Sequence, residues 1–112
     1  MKVTKLLTKQ EFYAIRGNSE RPRIVVFVAT WCGFCRRFID LVRNFESKYD
    51  EVQLVDADNE GETLWDEYSI STVPTIIVLQ DGEEVFRQDG RPMVGLSNGD
   101  LERAVAAAVR QP

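Results

Sequence analysis

The sequence predicts an α/β domain: a single mixed, mostly parallel sheet of about five strands with helices on both faces. Two runs, Arg23-Ile24-Val25-Val26-Phe27-Val28-Ala29 and Thr75-Ile76-Ile77-Val78-Leu79, are apolar without alternation, the pattern of strands covered on both sides. The segments around them carry apolar residues every three or four positions, as amphipathic helices do. Directly after the second run, Asp81-Gly82 signals a tight hairpin turn.

Residues 3–7 read as a short strand. Thr8 reads as a helix N-cap, with Glu11 three residues on completing a capping box and Leu7 and Phe12 placed for a hydrophobic staple across it. This helix should run to about Arg16 and end at Gly17-Asn18-Ser19. The first covered strand follows. After Cys32, the apolar positions Phe34, Phe38, Leu41, Val42, Phe45 and Tyr49 mark one face of a long helix. Residues 52–55 read as a strand, and 62–68 as a short helix with Leu64, Trp65 and Tyr68 as its apolar positions. The second covered strand, the Asp81-Gly82 turn and a return over 83–88 make a hairpin. Ser97 with Asp100 repeats the capping signal, and an Ala/Val-rich helix runs to about Arg110. The order is β-α-β-α-β-α-β-β-α, so the sheet should be parallel but for one antiparallel edge added by the hairpin. No repeat, linker or low-complexity tract divides the chain, and residues 1–112 are expected to form one domain.

With 112 residues, 44% of them hydrophobic, the chain is long enough to bury a core without metals or structural disulfides. Its net charge of −4 argues against nucleic acid or an anionic membrane as partner. No stretch approaches the roughly 18 apolar residues of a membrane span. The first ten residues lack the apolar region of a signal peptide, so a cytoplasmic setting is expected, where purely structural disulfides are rare. There is no histidine, which removes Cys–His and Ser–His nucleophile pairs and His-containing metal sites. Neither metal nor cofactor is expected, and the chain is expected to be a monomer.

The chemistry lies in Trp31-Cys32-Gly33-Phe34-Cys35, which holds both cysteines. Two cysteines placed at random would show this spacing roughly 2% of the time. On a helix, positions i and i+3 share a face with Cβ atoms about 5–6 Å apart, so a small adjustment brings the two sulfurs within disulfide range. Cys32 falls at the N-cap, where unpaired N–H groups and the helix dipole favour a thiolate. Cys35 lies one turn in, on the apolar side. The division suggests that Cys32 attacks a disulfide and Cys35 resolves the mixed disulfide. Phe34, unlike a proline, has an N–H to offer the Cys32 sulfur. Other readings of the pair are two small core residues, half of a metal or iron–sulfur site shared in a dimer, or a structural loop disulfide. A four-residue loop, however, gains little from cross-linking.

These residues resemble a known family. Ala29-Thr30-Trp31-Cys32-Gly33-Phe34-Cys35 is similar to the active-site segment of thioredoxins, and Thr72-Val73-Pro74-Thr75 resembles their cis-proline loop. Val55-Asp56-Ala57-Asp58 and the Asp81-Gly82 turn extend the likeness over nearly the whole chain. The resemblance implies a thioredoxin-like fold and a thiol–disulfide oxidoreductase whose redox group is a Cys32–Cys35 disulfide. It implies disulfide-containing substrate proteins and an upstream electron donor of the thioredoxin reductase kind. It also implies a substrate surface of Trp31, Gly33, Phe34, Val73, Pro74 and Gly90. Gly95 rivals Gly90 as the family glycine that leaves room for a bound chain, one of the two belonging to a short insertion; the spacing from Asp81-Gly82 favours Gly90. The sequence departs from the family where Phe34 replaces a proline, and where Val26 and Leu54 stand in place of a buried aspartate and its lysine partner. The rival function is a peptide-binding module that uses the Val73–Pro74 groove, with incidental thiols.

Overall fold

A computed structural model describes residues 3–17, 21–45, 52–57 and 63–110. The elements are β1 (Val3–Leu7), α1 (Lys9–Ile15), β2 (Arg23–Val28), α2 (Gly33–Asn44), β3 (Val52–Asp56), α3 (Thr63–Glu67), β4 (Thr75–Gln80), β5 (Glu83–Asp89) and α4 (Asn98–Arg110). The element order is the expected one. The α1 cap forms in full: the Glu11 N–H donates to Thr8 Oγ1, and the Thr8 N–H donates to Glu11 Oε1. Leu7 and Phe12, on either side of that cap, are both buried in one apolar cluster.

The unbroken apolar run of β2 is explained by its position at the centre of the sheet, whose order is β1-β3-β2-β4-β5. Successive side chains point to opposite faces, and both faces are dry. Ile24, Val26 and Val28 pack with Phe38 and Val42 of α2 and with Leu101 and Ala104 of α4. Val25 and Phe27 pack on the other face with Phe12 of α1 and Leu64 of α3. The Phe12 and Phe27 rings meet edge to face, with centroids 5.6 Å apart.

Two expectations change. The sheet is mixed, but it contains two antiparallel pairings rather than one: β4 runs against β2 as well as against β5, while β3 is parallel to both β1 and β2. A parallel crossover needs an element that carries the chain back along the sheet. The five residues of α3 span about 8 Å, half the roughly 17 Å of a five-residue strand, so α3 does not provide that return. The second change is that α2 ends at Asn44, with Phe45 already extended (ψ 125°). Tyr49, Asn18, Ser19 and Glu62, and the Asp58 that ends Val55-Asp56-Ala57-Asp58, lie outside the described residues.

Val26 lies opposite Leu54 on β3 and Ile76 on β4, with none of the three exposed to solvent. A carboxylate at this position meets no counter-charge from its strand neighbours. Val26→Asp is therefore expected to lower the unfolding free energy by about 3 kcal/mol, measured by urea denaturation at neutral pH. A substitution without cost would show that position 26 is hydrated.

Candidate active site around Cys32 and Cys35

Strand β2 ends at Val28, and residues 29–32 turn the chain into α2. The Cys32 N–H donates to the Ala29 carbonyl at 3.1 Å, and Cys32 is the N-cap with an extended backbone (φ −92°, ψ 123°). Its side chain is half-buried, whereas Cys35, one turn on, is fully buried. Both thiols are free. The expected bond from the Phe34 N–H to the Cys32 sulfur is absent, and the side chain does not cap the helix. Instead Cys32 Sγ faces the Val73 carbonyl at 3.8 Å. A neutral thiol is a donor, and that carbonyl across the groove is an acceptor.

The Ala29 N–H donates to Cys35 Sγ at 3.3 Å. Burial nevertheless pushes the Cys35 thiol up to about 12, the neighbouring Cys32 thiol adding to the shift and the Ala29 N–H and Arg36 opposing it. Cys35 shares its apolar cluster with Val26 and Leu54, cross-strand partners at the positions where the sequence lacks an acid–base pair. Arg36 Nη1 donates to the Thr30 carbonyl at 3.1 Å, tying the turn to the helix it opens.

The Val73–Pro74 loop reaches this turn from the next strand. Its Val73–Pro74 peptide bond is cis. Thr75 Oγ1 donates to the Thr72 carbonyl at 2.8 Å, and Thr72 Oγ1 donates to the Gly90 carbonyl at 3.0 Å. A Cβ on Gly90 would stand 2.5 Å from the Pro74 oxygen, so only glycine fits there. Gly95 has φ +78°, and a Cβ on it would stand 3.1 Å from Phe34 Cβ. The two glycines thus divide between the two halves of the site: Gly90 lies on Pro74, and Gly95 lies on Phe34.

Cys32, Trp31, Phe34 and Val73 line one groove, while Gly33 is exposed at the start of α2. Sequence reasoning missed further residues of that groove, among them Trp65, Arg91 and Met93. Arg91 had a signal, in an opposite charge nine residues away. Its Nη1 and Nη2 donate to Asp100 Oδ2 and Oδ1 at 2.8 and 2.9 Å. The Ser97 N–H also donates to Asp100 Oδ2, at 2.8 Å, which is half of the expected cap, and Arg103 completes the cluster. The Asp100 side chain has no solvent exposure, and the Arg91 guanidinium above all holds its carboxyl at about 2.

Among the described residues, no three metal-ligating side chains gather, and no helix is long and apolar enough to cross a membrane. Residues 3–101 match the thioredoxin family model. Thioredoxin-2 of Saccharomyces cerevisiae is 27% identical over 108 residues, which cover 96% of this chain and 99% of the yeast protein. The chloroplastic thioredoxin Y of Oryza sativa subsp. japonica is 33% identical over 85 residues, but the match spans 51% of that protein's length and 74% of this chain. Among solved structures, the long form of spinach chloroplast thioredoxin F superposes with a TM-score of 0.77 at 26% identity, covering 96% of this chain and 87% of that one.

Two outcomes follow from this geometry. Limited alkylation near neutral pH should label the half-exposed Cys32 well before Cys35, which is both buried and held protonated; peptide mapping with Cys35 labelled first would contradict the packing. Asp100 is more acidic folded than unfolded, so its contribution is complete above about pH 4 and is lost as pH falls towards 2. The stability advantage of wild type over Asp100→Asn, from denaturation curves, should shrink by about 2 kcal/mol between pH 5 and pH 2.

Proposed function

The chain belongs to the thioredoxin family of thiol–disulfide oxidoreductases, and on that premise we propose that it reduces disulfides of substrate proteins through Cys32 and Cys35. One observation carries the assignment of roles: the half-exposed thiol of the N-cap residue of α2 lies in an open groove, one turn from a buried thiol. The Cys32 thiolate attacks one sulfur of the substrate disulfide. That S–S bond breaks, a Cys32–substrate bond forms, and the departing substrate thiolate takes up a proton. Cys35 then loses its proton and attacks Cys32 Sγ, releasing the second substrate thiol and leaving a Cys32–Cys35 disulfide. Two electrons and two protons from an upstream dithiol donor of the thioredoxin reductase kind restore the reduced pair.

In this reading the extended substrate segment lies along Val73 and Pro74, with Trp31, Gly33 and Phe34 on one side and Gly90 leaving room on the other. No further cofactor is needed, because the cysteine pair is itself the redox group. Val26 and Leu54 offer Cys35 no carboxylate, so deprotonating Cys35 is the demanding part of the cycle. A monomeric single domain in a reducing, cytoplasmic setting belongs to the same proposal.

Trapping on insulin tests the roles. With dithiothreitol as donor, wild type should catalyse insulin reduction. Pre-reduced Cys35→Ser should accumulate a protein–insulin adduct on non-reducing gels, since nothing resolves the mixed disulfide, and Cys32→Ser should not. Equal trapping by both variants would reverse the assignment, and an inert wild type would favour a peptide-binding module.

A further inference from the structure

The segment that brings Val73 to Cys32 starts at the end of α3, and a serine sits there where glycine is usual. The Ser69 N–H donates to the Asp66 carbonyl at 3.3 Å, and the Ile70 N–H donates to the Trp65 carbonyl at 2.8 Å. These are the two bonds of a Schellman ending, which turns on one left-handed residue. Here that residue is Ser69, at φ +52°, a conformation that its Cβ disfavours. A residue so placed persists only where its surroundings impose the conformation.

Arg87 of β5 imposes it. Its Nη1 donates to the Tyr68 carbonyl at 2.6 Å and its Nη2 to the Ser69 carbonyl at 2.8 Å, so one planar fork pairs two successive carbonyls at the helix end. The fork is itself fixed: Nε donates to Asp89 Oδ1 at 2.8 Å, and Glu84 Oε2 lies 3.5 Å from Nη1. Three residues beyond Ser69 the segment is held a second time, where Thr72 Oγ1 donates to the Gly90 carbonyl at 3.0 Å. Between the two holds Ile70 is buried. Val73, next in line, presents its carbonyl to Cys32 Sγ at 3.8 Å.

We propose that Arg87 is a positioning residue for disulfide exchange. By imposing the left-handed turn at Ser69 it sets where residues 70–73 lie, and so where Val73 aligns an extended substrate against Cys32. It acts through that turn rather than through either cysteine. The inference rests on the function proposed above. A protein disulfide whose chain lies along Val73 depends on this placement, whereas a small disulfide has no chain to align.

The test compares single-turnover reduction of insulin with that of bis(2-hydroxyethyl) disulfide by the pre-reduced protein. A loss of folded protein lowers both rates alike, so their ratio reads positioning and not stability. In Arg87→Met the ratio of the insulin rate to the small-disulfide rate should fall about fivefold. Adding Ser69→Gly to that variant should restore the ratio, because glycine adopts the left-handed backbone unaided. Arg87→Lys keeps one charged donor without the fork, so its ratio should fall by less, and it carries the test if Arg87→Met does not fold. A ratio that stays at the wild-type value, or a fall that Ser69→Gly leaves in place, would overturn the positioning role. Reduction of neither disulfide by wild type would instead overturn the exchange chemistry on which that role depends.

Discussion

Strand β4 runs antiparallel to β2 with Thr75 opposite Phe27, and this register brings the two halves of the site together. It sets Pro74, just before β4, beside the turn that follows β2 and ends at Cys32. A parallel β4 would begin at the far end of the sheet and carry Val73 and Pro74 away from the cysteines. The next pairing extends the arrangement: Asp89 lies opposite Thr75, so Gly90 falls on Pro74, and the Thr72 hydroxyl bonds the Gly90 carbonyl. Three segments distant in sequence thus meet at one end of the strands, placed there by backbone register.

The same central strand sets the environment of Cys35. Alternation along β2 sends Val26 and Val28 to the face covered by α2, so Cys35 is enclosed by hydrocarbon. A buried thiol with no base beside it stays protonated, and the Ala29 N–H recovers only part of the cost of ionising it. Cys32, three residues earlier, has its sulfur at the surface facing a backbone carbonyl. A one-turn difference in depth separates an exchangeable thiol from a guarded one, without any charged partner from the sheet.

The groove beyond the cysteines depends on an ion pair whose carboxylate is buried and whose guanidinium is partly exposed. Asp100 accepts bonds from both Arg91 and the Ser97 N–H, joining the start of α4 to the loop that ends at Gly95. A carboxylate without solvent exposure is stable there because its oxygens are matched by charged and backbone donors. The pair also occupies Arg91, the one cation among the described residues that line the groove, which Trp31, Trp65 and Met93 line as well.

The sequence by itself determined the order of the elements, the full capping box at Thr8 and Glu11, the two strands covered on both faces, and Cys32 at the head of a helix. Each is a local matter of propensity, periodicity or a bond between residues three apart. It carried α2 past its end at Asn44, because Phe45 keeps the helical spacing even though its backbone has already turned extended. It read Trp65 as a simple packing position and gave Arg91 and Met93 no role, because nothing in their spacing shows which wall of which groove they reach. Only the tertiary structure decided that β4 runs against β2, that Gly90 lies on Pro74 while Gly95 lies on Phe34, and that the Cys32 thiol turns to Val73 rather than to its own helix. Those outcomes depend on how strands pair and which backbones come within van der Waals contact, and long-range pairing leaves no periodic trace in the chain that makes it.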